Sequence, residues 1–345
     1  MAESGSFHSL DALRATALLL GIALHSTQSF WPGFREANWP ITDDSSSLTL
    51  SALFFVAHIF RMSVFYAIAG FFAHLLLVKL GAWGLVRNRL RRIALPFVVS
   101  YVVVMPLLIV PFIWAMKVTG ITARPNMAPP FPDPQMPPWG HLWFLYLLLV
   151  MYVLWLGART LLLAVDRSGA TPRLVDRVLA AIVTSRVGPV LLAAPAAVVL
   201  YYTSWWIMWP GIPTPIMGLI PNFPALLAYG STFAFGWFLH RQTGLLDVLK
   251  RDWATYIVIA LALSALSLWI VGARPQLSLH ELPTMQRAVY SAAYNIAGWY
   301  WVFGLIGAAV RFLDRPSGKV PSDAGPPETE KTDVHQCVPD DPGDQ

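Results

Sequence analysis

Apolar and polar positions fall into long blocks along this chain. Apolar runs near the ~20 residues that a bilayer core requires recur at about 10–30, 51–78, 93–116, 140–163, 188–208, 224–240, 254–272 and 288–312. Eight spanning helices are therefore expected. The fifth and sixth runs are the most interrupted, because Pro189, Pro195, Pro210 and Pro224 crowd their ends. The segments between the runs sort by charge. Lys79, Arg87, Arg89, Arg91 and Arg92 follow the second run, and Arg167, Arg173, Arg177 and Arg186 the fourth. Arg241, Lys250 and Arg251 follow the sixth, and Arg311, Arg315 and Lys319 the eighth. The alternate loops are poor in Lys and Arg. The positive-inside rule then puts both termini in the cytoplasm. The Pro-rich stretch 117–138 falls on the outer side and is expected to be extended and semi-rigid. From about Ser317 apolar residues almost vanish, so residues 316–345 read as a disordered polar tail after a transmembrane domain over 1–315.

Composition agrees with this pattern. Of 345 residues, 56% are hydrophobic and 12% charged, with a mean hydropathy of +0.55. The charged share is about half that of soluble domains. The expected fold is an all-α integral membrane protein, a polytopic helical bundle without a soluble domain, with the lipid bilayer as its first partner. A net charge of +5 carried on short loops is a topology signal, and no nucleic-acid partner is expected. The single cysteine, Cys337, lies in the polar tail, which excludes a disulfide framework or a cysteine metal site. The first apolar run is longer than a signal-peptide core and lacks a small-residue cleavage site, so it is read as a span. Gly-rich phosphate loops, His-Glu-x-x-His helices and Gly-x-Ser-x-Gly elbows are missing from the sequence.

Ionisable residues inside the runs are the candidate chemistry, because charge within a bilayer is costly and marks function by default. Arg14 and His25 stand eleven positions apart in the first run. That is about three helical turns, so both share nearly one face, roughly 16 Å apart along the axis. Arg14 alone reads equally as a snorkelling interface anchor, and His25 alone as a helix-packing hydrogen bond. His58 and Arg61 lie one turn apart in the second run, about 10–15 Å below the outer surface. A polar cavity shared by His25, His58 and Arg61 is expected. In Arg87-Asn88-Arg89-Leu90-Arg91-Arg92, guanidinium groups suit a phosphorylated donor. Spacing alone favours an orientation signal with anionic-lipid contact. Trp139-Gly140-His141-Leu142-Trp143 opens the fourth run, where an aromatic belt and a sugar-binding mouth are both open readings. His280 and Glu281 read as ordinary solvated residues.

Leu10-Asp-Ala-Leu-Arg14-Ala, followed ten residues later by His25, resembles the first-helix signature of the membrane acyltransferase 3 family. Further motifs carry the resemblance: His58-Ile-Phe-Arg61-Met-Ser-Val-Phe-Tyr-Ala-Ile-Ala-Gly70-Phe-Phe, Arg89-Leu-Arg91-Arg92-Ile-Ala-Leu-Pro96, and His141-Leu-Trp143-Phe-Leu. Their order and spacing match over residues 8–150, and more loosely to about 315. The branch looks like the glucan biosynthesis protein C group. This resemblance implies a multi-span enzyme, usually of ten helices. It implies transfer of an acyl group, succinyl in this branch, from a cytoplasmic acyl-CoA-type donor to hydroxyls of an extracytoplasmic glucan. It implies the bacterial inner membrane, a periplasmic glucan or other glycan as acceptor, and other glucan-synthesis membrane proteins as neighbours. Neither a bound cofactor nor a metal is expected, since acyl-CoA, or succinyl-CoA, is the donor substrate. Carried onto this chain, His25 becomes the candidate base and Arg14 a donor-side partner. His58 and Arg61 stand ready for the oxyanion, Arg89, Arg91 and Arg92 for the donor, and His141 and Trp143 for the acceptor side.

The chain departs from the family pattern in three places. Ala69 stands where many members carry Ser, which excludes a serine nucleophile there. Tyr146-Leu147-Leu148 stands where many carry Glu. The polar tail takes the place of the last two helices and reads as a truncation or a frame shift. The alternative functions from the residues alone are an anion or glycolipid transporter or flippase, and a non-catalytic membrane subunit.

Overall fold

The computed structural model describes residues 7–37, 39–121, 139–279 and 282–314. Most of the Pro-rich stretch, His280, Glu281 and the tail with Cys337 lie outside the described residues. Within them the chain is helical: α1 (His8–Ser26), α2 (Leu48–Arg89), α3 (Leu95–Thr119), α4 (Trp143–Val165), α5 (Ala170–Thr184), α6 (Gly188–Tyr202), α7 (Phe223–Arg241), α8 (Leu245–Val271) and α9 (Thr284–Leu313). All eight expected stretches contain a helix. Among the described residues, the stretches Leu48–Thr119, Gly140–Val165, Leu245–Val271 and Thr284–Leu313 are long and apolar enough to cross a membrane. The α5–α6 pair adds a fifth if its 108° bend is one broken span. The first stretch holds both α2 and α3. Polar residues such as Asp11, Arg14 and His25 in α1, and His240 and Arg241 in α7, lower the apolarity of those two helices.

Local chemistry sets the helix ends. Ser47 caps α2 by accepting the Leu50 N–H at 3.3 Å, and Asn222 caps α7 by accepting the Ala225 N–H at 2.9 Å. Two expectations are corrected. The arginine segment 87–92 was expected in a connecting loop, yet α2 continues through Arg89 and a π turn over Leu90–Ala94 leads straight into α3. After a kink at Gly81 (φ 70°) the sequence has neither Gly nor Pro between Gly84 and Pro96, and Arg and Leu favour helix. The segment 167–186 was also expected as loop, but it contains α5. Conversely, the fifth apolar run stops being helical at Tyr202, six residues short of its expected end. Trp206 and Trp209 there turn inward and donate to the carbonyls of Gly211 (2.7 Å) and Gly272 (3.2 Å).

With no water in hydrocarbon to drive helices together, close backbone approach does much of the work. α2 and α7 interlock in this way. A Cβ on Gly70 would lie 1.9 Å from the Phe233 carbonyl oxygen, and one on Gly236 would lie 1.7 Å from that of Ala67. α9 is the most buried of the apolar stretches and packs on α8, α6, α2 and α1. α1 leans against α2 and α9, so the expected site residues of α1 face those of α2.

Candidate active site at the two ends of α1

His25 sits in the last turn of α1 and is half buried. Its ring meets that of His141 edge-on, with centroids 4.7 Å apart. Phe54 separates it from His58: the Phe54 centroid is 6.2 Å from His25, and Phe54 stacks on His58 at 4.8 Å. The Arg61 guanidinium lies within electrostatic reach of all three imidazoles. It also faces the buried phenols Tyr66 and Tyr229. The Tyr66 hydroxyl donates to the Phe144 carbonyl at 2.9 Å, and its ring packs 5.0 Å from that of Tyr229. Trp143 is buried against Tyr229, with centroids 5.7 Å apart.

Gly21 determines where Arg61 rests. It stands one turn before His25 on the same face of α1. A Cβ there would lie 2.2 Å from Arg61 Nη1, so the guanidinium lies against bare α1 backbone.

Three buried polar atoms at this end have no hydrogen-bond partner: His25 Nδ1, His58 Nδ1 and Arg61 Nε. Gln28 engages His25 through its side chain. Unpartnered buried polar atoms cost free energy, and one such group is an exception in native proteins. Three in one cluster of side chains fit a ligand with oxygen acceptors and a hydroxyl. The site residues His25, His58, Arg61, His141, Tyr66 and Tyr229 include no carboxylate. A guanidinium among the imidazoles makes the cluster suited to developing negative charge.

The other end of α1 carries a second cluster. Arg14 pairs with Asp11 at 2.8 Å and lies over the Phe72 ring at 5.2 Å. Arg89 lies over the buried Tyr152 ring at 4.9 Å and is electrostatically coupled to Arg14 and Arg92. Arg89 Nε and the neighbouring Asn88 Oδ1 are buried without partners. Arg91 and Arg92 are exposed on the π turn. Among the described residues, Asp11 is thus the one carboxylate paired within this group of arginines.

The structure therefore gathers His25, His58, Arg61 and His141 at one end of α1, and Arg14, Arg89 and Arg92 at the other. It sets Trp143 behind the first cluster, on Tyr229. Arg91 shares the π turn but has no contact that ties it to Arg14. Sequence reasoning missed Gly21, Gln28, Tyr66, Tyr229, Asn88 and Tyr152. Gly21 was legible as the small residue one turn from His25, and Asn88 lay inside the arginine motif. Nothing in the sequence pointed to Tyr229 or Tyr152.

The family model described as an acyltransferase domain matches residues 7–319. The chain belongs to this acyltransferase 3 family, a family of membrane proteins. Among curated proteins it is similar to the glucans biosynthesis protein C of Shigella dysenteriae serotype 1 (strain Sd197) and of Escherichia coli (strain K12). Each is 32% identical over 151 residues, which cover 42% of this chain and 37% of the relative. The corresponding protein of Escherichia coli strain SMS-3-5 is 31% identical over the same length. The match thus spans little more than a third of these relatives. No solved structure matches the chain.

Proposed function

We propose that this chain transfers an acyl group, with succinyl as the first candidate, from an acyl-CoA-type donor to a hydroxyl of an extracytoplasmic glucan. One observation carries the reading. A single helix, α1, joins an arginine cluster suited to phosphates to a partly buried imidazole–guanidinium cluster suited to an oxyanion. The two lie roughly 16 Å apart along the helix axis. Donor phosphates engage Arg14, Arg89 and Arg92, with Arg91 beside them on the π turn. The flexible arm of the donor carries the thioester toward His25. With both termini cytoplasmic in the inner membrane, the donor enters from inside and the glucan from outside.

His25 then removes the proton of a glucan hydroxyl while its oxygen attacks the thioester carbonyl carbon. The new C–O bond forms and negative charge gathers on the former carbonyl oxygen, facing Arg61, with His58 alongside. The C–S bond breaks, and the departing thiolate takes the proton back from the His25 imidazolium. His141, exposed and in ring contact with His25, serves on the acceptor side in this reading. The similarity to proteins named for glucan biosynthesis supports a glucan acceptor, and with it neighbouring membrane proteins of glucan synthesis.

The test is the acyl content of periplasmic glucan from cells that lack their own enzyme and express this chain or its His25→Ala variant at matched levels. Anionic glucan with the first and neutral glucan with the second is the expected result. Transfer retained by His25→Ala refutes the assignment of the base. Neutral glucan from both, with the protein inserted, refutes the acceptor or the activity.

A further inference from the structure

α5 belongs to neither cluster, and its surface divides into three strips. Leu179 and Val183 are buried against the bundle. Asp176 flanks them and holds Arg241 of α7 in a two-pronged pair, Nε to Oδ1 at 2.8 Å and Nη2 to Oδ2 at 2.7 Å. Gln242 adds a bond to the Asp176 carbonyl at 2.9 Å. A second strip holds Leu174 and Val178, 54% and 49% exposed. The third strip, beside it, holds the exposed guanidinium groups of Arg173 and Arg177, one turn apart.

A helix tied down along one side ordinarily turns polar residues outward. α5 instead shows leucine and valine bordered by arginines, the pattern of a helix lying in a membrane interface. Its neighbours agree. Leu161 and Val165 in the last turns of α4, and Val187 and Leu191 at the start of α6, are all more than half exposed. Both helices that flank α5 thus also expose apolar side chains near their junctions with it. The axis of α5 turns 108° from that of α6, as an in-plane segment beside a span requires.

We infer that α5 is an anionic-phospholipid docking helix. Leu174 and Val178 enter the acyl boundary of the leaflet while Arg173 and Arg177 hold phosphate headgroups. The charge of the strip chooses the lipid. Near a membrane surface each such arginine is worth about a fivefold preference for an anionic over a zwitterionic lipid.

The full chain in nanodiscs tests this. Hydrogen exchange over residues 170–184 is followed in phosphatidylcholine alone and with about 30% phosphatidylglycerol. The wild type, the Arg173→Gln/Arg177→Gln variant and the Leu174→Ser/Val178→Ser variant are compared, with α2 and α9 peptides as controls for the fold. Phosphatidylglycerol should slow α5 exchange several-fold in the wild type, and high salt should reverse this. The arginine variant should lose the lipid dependence, and its phosphatidylcholine rate reads separately the loss of the Arg173 bond to the Ser168 carbonyl (2.7 Å). The Leu/Val variant should exchange faster in both lipids. Equal α5 exchange in both lipids, or a lipid dependence that survives loss of both arginines, overturns the proposal and leaves α5 a helix held by the bundle alone.

Discussion

Substituting Gly21 by Ala isolates the placement of Arg61 from the stability of the fold. The added methyl would meet Arg61 Nη1 at 2.2 Å and Cζ at 3.2 Å. Carbon–nitrogen contacts relax to about 3.5 Å, so the guanidinium must retreat by at least about 1 Å. The atom that must move is the far end of a long, flexible side chain, and Ala gains about 1 kcal/mol over Gly within a helix, so the net loss of stability should be small. Its function should not escape. A displacement of about 1 Å in a group that faces developing charge costs on the order of 100-fold in rate. Gly70→Ala and Gly236→Ala supply the contrast. Their methyl groups would meet backbone oxygens of Phe233 and Ala67, which cannot swing aside. They should lose about 1–3 kcal/mol or more of stability, and their activity should fall together with the yield of folded protein. The assay pairs glucan acyl content at matched expression with thermal unfolding of the detergent-purified chain. Gly21→Ala with wild-type transfer would refute the role given to Arg61. Gly21→Ala with a melting temperature as depressed as that of Gly70→Ala would refute the claim that only the guanidinium moves.

Further expectations concern both clusters and the start of α5. Arg61→Gln should cut transfer by about 100- to 1000-fold, the usual loss of an oxyanion donor, with donor binding unchanged by ligand-protection assays. Arg89→Gln should raise the KM for the donor by about 10- to 100-fold while kcat holds within a few-fold, since a charged hydrogen bond to substrate is lost in ground and transition states alike. A comparable fall in kcat would place Arg89 in the chemistry instead. At the start of α5, Asp166 accepts from the Ser168 hydroxyl (2.6 Å) and the Thr171 N–H (2.6 Å), which holds its carboxyl well below the usual range. A depressed folded value means stability that is present above the unfolded pKa of about 3.9 and lost as pH falls below it. The first turn of α5 should therefore keep its exchange protection from neutral pH to about pH 4 and fray only below, and Asp166→Ala should remove that pH dependence.

Sequence alone fixed the class of molecule and the stations of its chemistry. Apolar runs of bilayer length announced the helices, because in hydrocarbon the backbone must satisfy itself and helix is one of two ways to do so. His25, Arg14, His58 and Arg61 stood out because charge is expensive where those runs place it. Helical periodicity put Arg14 and His25 on one face without any knowledge of packing. Even α5, expected as loop, carried its signal: Leu174, Val178, Leu179, Ile182 and Val183 recur at helical spacing behind the arginines. The rest awaited tertiary structure, because rotation of one helix about its axis leaves its sequence unchanged and alters every neighbour. Only packing could bring His141, 116 residues along the chain, against His25. The same holds for Tyr229 before Arg61 and Tyr152 under Arg89. Gly21 shows both sides. Its smallness was written in the sequence, but its purpose appeared only when α2 laid a guanidinium across it.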